Sequence, residues 1–154
     1  MQLGQFLECE PGEPSCFEPV EFHLSRKTPS GKMRIRVKAN LYPVSESERR
    51  AARKAAISYL RSTPAYAPKD GISPPIPQEE VDFETTLHFL AAALYDTEDP
   101  MVQFVGAGDY GKFRDGILGQ QVDWLYERYR AFVAREYPEL AVPSADLEGE
   151  AEKK

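Results

Sequence analysis

The chain has 154 residues, of which 42% are hydrophobic and 29% charged, and its formal net charge is −6. That length suits one domain with a sizeable core, and no run approaches the ~18 apolar residues of a membrane span. The only two cysteines, Cys9 and Cys16, are far from His23 and His88 in sequence; zinc needs about four ligands, so no metal is expected and both thiols are expected to be reduced.

Residues 1–17, MQLGQFLECEPGEPSCF, have acidic residues and no basic stretch. No secretory leader is expected there, and synthesis in the cytoplasm is the default. The next segment changes sign. Residues 19–61 carry 11 Lys/Arg against 3 Asp/Glu, whereas residues 62–154 carry 8 against 18. Such a split fits nucleic-acid binding, or the pairing of one subunit's basic face with another's acidic face.

Val20, Phe22 and Leu24 alternate with polar residues, as do Met33, Ile35, Val37, Ala39 and Leu41. Period two predicts two half-buried strands, and Pro29-Ser30-Gly31 supplies a turn between them. Arg34, Arg36 and Lys38, with Lys27 and Lys32, make the outer face of this hairpin basic.

Ser45 followed by Glu48 is a capping-box signature, and it predicts a helix to about Ser62 with Ala52, Ala56, Ile57, Tyr59 and Leu60 as its apolar positions. Residues 63–77 hold five prolines and Gly71, which predicts a long ordered loop or linker. A second helix is predicted over 78–95. Phe83, Leu87, Leu90, Ala91 and Leu94 share one helical face; Phe83, Leu87, Leu90 and Leu94 are assigned to the core, leaving Phe89 and the alanines as an outward contact side. The acidic turn Asp96-Thr97-Glu98-Asp99-Pro100 ends it.

A short helix interrupted by Gly111 and Gly116 is predicted over 109–118, and a last helix over 119–137 before Pro138. Val122, Leu125, Tyr126, Tyr129, Phe132 and Val133 form its stripe, with Trp124 to one side. The fold expected is α+β: an N-terminal β-hairpin or small antiparallel sheet packed against three to four α-helices. It would occupy residues 18–140, with 1–17 as an extension and 141–154 as an acidic, disordered tail.

Gly106, Gly108 and Gly111 fit G-x-G-x-x-G, but a dinucleotide site also needs a second parallel strand after the following helix, so a turn is expected instead. Neither histidine has a nucleophile and acid arranged around it by spacing, and Asp96, Glu98 and Asp99 lack the other ligands of a calcium loop. No enzymatic chemistry and no cofactor are expected. The aromatic residues of the last helix suit a binding interface, so Phe89, Trp124, Tyr126 and Tyr129 are taken as candidate partner-binding residues. Arg34, Arg36 and Lys38 are taken as a basic or self-association face.

In order, the basic hairpin with Ser30-Gly31-Lys32, the helix SESERRAARKAAISYL, the proline-rich spacer, LHFLAAALYDTEDP at 87–100, Phe104-Val105 with Asp109, and VDWLYERYRAFVAREYP at 122–138 resemble the tail assembly chaperones of long-tailed, siphovirus-like bacteriophages. Residues 1–17 lie outside the resemblance. It implies a non-enzymatic protein, made in the infected host cell's cytoplasm and absent from the mature virion. Such chaperones coat the tape measure protein, whose apolar helical faces would otherwise aggregate, while tail tube protein is recruited. It also implies homo-oligomers, for which the charge split would suit head-to-tail contacts, and a longer frameshifted form, to which the lysine codons of Lys153-Lys154 would lend a slippery site. The alternatives are a structural tail tube or completion protein, and a nucleic-acid-binding accessory protein using the basic hairpin; nucleic acid is not the expected partner, because few exposed aromatics interleave with the basic residues.

Overall fold

Alternating apolar side chains build a long antiparallel hairpin, and the helices gather on its apolar face. The structure, a computed structural model, describes residues 1–9, 12 and 16–138. In chain order the elements are α1 (Leu3–Cys9), β1 (Glu18–Thr28), β2 (Gly31–Leu41), α2 (Glu46–Arg61), α3 (Gln78–Ala93), β3 (Leu94–Tyr95), α4 (Tyr110–Gly116) and α5 (Gly119–Glu136). The fold is α+β, with one three-stranded antiparallel sheet in the order β1-β2-β3.

The hairpin closes through Thr28 opposite Gly31, with Gly31 at a φ of 122° that its missing Cβ makes accessible. Val20 faces Ala39, Phe22 faces Val37 and Leu24 faces Ile35. This face is buried only near its root: Val20, Phe22, Ala39 and Leu41 belong to the core, whereas Met33 and Ile35 are exposed. Geometry gives the reason. An 11-residue strand is roughly 36 Å long and a 16-residue helix roughly 24 Å, so the tip of the hairpin runs past the helices beneath it.

The expected capping box starts α2: Ser45 Oγ accepts from the Glu48 N–H at 3.1 Å and Glu48 accepts from the Ser45 N–H at 3.2 Å. Arg49 and Arg50 hold the Glu46 carboxyl down at about 2. The proline-rich segment after α2 is pinned and not free to swing. Arg61 donates to the carbonyls of Tyr66 and Pro74. Lys69 and Ile72 exchange two backbone bonds at 2.9 Å across Asp70-Gly71, both with positive φ, as a tight two-residue turn requires.

Two expectations for the second helix change. It ends at Ala93, and Leu94-Tyr95 leaves as a short strand on Asn40-Leu41. The assignment of its faces also changes. Leu87, Leu90 and Leu94 are buried as expected, but Phe83, on the same stripe, is 43% exposed, because the first turns of this helix turn Val81 and Glu84 inward instead. Phe89 and Ala93, expected on the outward side, are both buried: α5 packs over Phe89, and Ala93 joins the core where the helix meets the sheet.

Gly106 to Gly108 form a turn before α4, with the Asp109 N–H bonded to the Gly106 carbonyl. The only sheet among the described residues is antiparallel, so the parallel unit that a dinucleotide-binding glycine motif serves is missing there. Gly116 brings the end of α4 onto β1: a Cβ there would lie 2.9 Å from the Ser25 carbonyl oxygen. Glu18 fixes α5 against the root of β1 by accepting from Arg128 and, at 2.5 Å, from Arg135. Among the described residues no helix is long and apolar enough to cross a membrane. The acidic tail expected over 141–154 lies outside the described residues.

Candidate functional site

Two kinds of site stand out: an apolar groove under the projecting hairpin, and a buried polar cluster between α3 and α4. The groove follows from the overhang of the hairpin. Leu24, Ile35, Phe104, Val105, Phe113 and Leu118 supply its apolar lining, around an open volume of about 1020 Å³. Arg26, Lys27, Lys32 and Lys112 stand on its rim with Asp109 and Asp115. Met33 and Leu118 extend the apolar surface into solvent. An apolar trough with charges of both signs along its edges has the chemistry to hold an amphipathic helix, with apolar side chains inward and polar ones toward the rim.

The polar cluster is built by two helical i, i+4 pairs. Glu84 and His88 project from α3, Tyr110 and Arg114 from α4. The Tyr110 hydroxyl donates to Glu84 Oε2 at 2.8 Å, and Arg114 Nε–H donates to Oε1 at 2.5 Å. The His88 ring stacks on Tyr110, with centroids 3.9 Å apart, and its Nδ1 lies 2.9 Å from the Glu84 carbonyl. That contact places the proton on Nδ1. Tyr59 of α2 packs edge-on against both rings and under the Arg114 guanidinium. Burial pushes the His88 pKa down, and burial with the Glu84 carboxylate pushes the Tyr110 hydroxyl up.

Every side-chain polar atom of this cluster that is fully buried has a partner. The carboxylate faces a guanidinium and a phenol, and no serine, threonine or cysteine hydroxyl or thiol bonds to the imidazole in the hydrogen-bond network of the described residues. The arrangement therefore locks α4 to α3. Nothing local in the sequence marks Glu84 as a buried acid. The signal available was the pair of i, i+4 spacings, Glu84/His88 and Tyr110/Arg114.

The four candidate partner-binding residues divide. Phe89 packs edge-to-face on Tyr129 at 4.8 Å and on Tyr126 at 5.8 Å. Tyr129 is half-buried, its hydroxyl accepting from the Val44 N–H at 2.9 Å, and burial raises its pKa. These two residues serve the core, because α5 lies on α3 through them. Trp124 and Tyr126 stay 44% and 36% exposed, and Arg128 lies 5.6 Å over the Trp124 ring.

Arg34, Arg36 and Lys38 stand exposed on the outer face of the sheet, where Arg36 pairs with Glu21. Among the described residues no group of three or more His, Cys, Asp or Glu is placed to hold a metal ion. The Cys16 thiol is exposed, and the side chain of Cys9 lies outside the described residues. No protein-family model, curated protein or solved structure matches this chain.

Proposed function

We propose that the protein is a non-enzymatic assembly chaperone of a long-tailed bacteriophage, holding apolar helical segments of the tape measure protein until tail tube protein encloses them. The observation that carries this reading is the open groove with Leu24, Ile35, Phe104, Phe113 and Leu118 in its apolar lining. It offers apolar surface to a helix without requiring the chaperone to unfold. The ordered sequence resemblance supplies the identity of the client.

Each groove is a modest site. Several chaperones along one extended client gain strength through effective concentration, and each can still be displaced singly when tube subunits arrive. The test is to look beside this gene for a very long helical reading frame, whose absence contradicts the proposal, and to co-express the protein it encodes with this chain. The expected result is a soluble complex of the two proteins, with this chain absent from purified virions. A tape measure protein that stays insoluble in its presence contradicts the proposal. Recovery of this chain from mature particles points instead to a structural tail component.

A further inference from the structure

Strand register assembles a second surface on the side of the sheet turned away from the groove. Glu21 faces Lys38, His23 faces Arg36, Ser25 faces Arg34 and Lys27 faces Lys32. Alternation along each strand puts all of these opposite Val20, Phe22 and Leu24. At the root of the same face, Tyr95 sits beside Asn40 through strand pairing. Tyr42 then packs between Tyr95, 5.1 Å away, and Phe17, 5.6 Å away. Phe17 keeps 47% of its surface exposed.

One open face therefore carries a three-ring cluster at its root and five cations running to the hairpin tip. Glu21 is the single acid of these strand pairs, and it is taken by Arg36. Among the described residues, Lys27, Lys32, Arg34 and Lys38 form no ion pair. Cations on an exposed strand protect its edge from pairing, which accounts for the charge of β2. It does not account for the Phe17 ring left open at the end of the cationic row.

We infer that this face binds single-stranded nucleic acid. Side chains two residues apart on β2 are about 6.7 Å apart, and they form a row that tracks a phosphate backbone while Phe17, backed by Tyr42 and Tyr95, offers a ring face to a base. A single strand exposes base faces that a duplex keeps stacked, so the aromatic end selects the single strand. Recognition is through phosphates and base rings, without groups placed to read a sequence. Phe17, Arg34 and Lys38 lie on the other side of the sheet from the groove's apolar lining, whereas Lys27 and Lys32 at the hairpin tip also reach the rim of the groove.

The test is fluorescence anisotropy with a labelled oligothymidylate of about a dozen nucleotides, within the site sizes such surfaces cover. Binding is expected at low salt, with log K falling against log salt at a slope of about −3, the value for four to five neutralised phosphates on a single strand. Arg34→Glu with Lys38→Glu should weaken binding at least tenfold and make the slope shallower by about 1.4. Phe17→Ala should weaken it about fivefold or more while leaving the slope unchanged, because it removes stacking and no charge.

All three positions are exposed. Arg34→Gln with Lys38→Gln stands in if the charge reversal lowers the melting temperature. No binding at low salt overturns the inference. So does equal affinity for polyphosphate, which has no bases, or tighter binding of duplex than of single strand.

Discussion

Glu84 and Arg114 meet at 2.5 Å in a site where the carboxylate side chain is 2% exposed and the guanidinium 33%. A carboxylate that deep is tolerated only with its charge paired and both oxygens hydrogen-bonded, and Tyr110 supplies the second bond. Removing Glu84 strands both partners. Glu84→Ala is expected to cost about 2–3 kcal/mol in urea unfolding, less than the ~3–5 kcal/mol of a wholly buried pair because Arg114 still reaches water. A loss below about 0.5 kcal/mol would mean that the pair does not hold α4 in place.

Acid should loosen the same contact through His88. Burial among Tyr59, Tyr110 and the Arg114 guanidinium lowers its pKa below the ordinary 6.5. The unfolded chain therefore takes up the proton first. The stabilisation from the neutral imidazole is complete above about 6.5 and is lost as the pH falls through the folded-state pKa. The urea midpoint should drop more in wild type than in His88→Phe between about pH 7.5 and pH 5.5, since phenylalanine keeps the stack on Tyr110 without the proton. Equal pH dependence in the two proteins would remove His88 as the titrating group.

Two glycines of α4 should respond in opposite directions. A Cβ at Gly116 would meet the Ser25 carbonyl at 2.9 Å, whereas one at Gly111 meets nothing within 4 Å. Gly116→Ala is expected to destabilise by about 1–3 kcal/mol, because backbone must move to admit the methyl group. Gly111→Ala should stabilise by about 0.5–1 kcal/mol through helix propensity alone. Thermal melting of the two variants checks both signs.

The hairpin, the start of α2 and the span of α5 were legible in the sequence, because each has a local cause. Period-two alternation, the Ser45/Glu48 cap and Pro138 all act within a few residues. Phe83 and Phe89 were not legible in the same way. Their burial depends on where the sheet and α5 begin to cover α3, and a helix that is apolar most of the way round does not indicate which side a neighbour will take. The same is true of Leu94-Tyr95, which reads as helix until Asn40-Leu41 offers it a strand to pair with. Phe17, Tyr42 and Tyr95 come together from three separate segments, so their cluster follows from register and not from any motif. The corrected assignment has a direct check. Phe89→Ala should cost about 3–5 kcal/mol as a core truncation, whereas Phe83→Ala should stay within about 1 kcal/mol.

The proposed client site is the groove under the hairpin, and calorimetric titration of a peptide from an apolar helical repeat of a tape measure protein, the client proposed above, tests it most directly. Ile35 and Leu118 line the groove and are already exposed, so Ile35→Asp and Leu118→Asp should leave the melting temperature nearly unchanged. The expected result is binding by wild type with a negative heat-capacity change from apolar burial, weakened at least tenfold in either variant. A peptide that does not bind, or that binds both variants as tightly as wild type, would contradict the account.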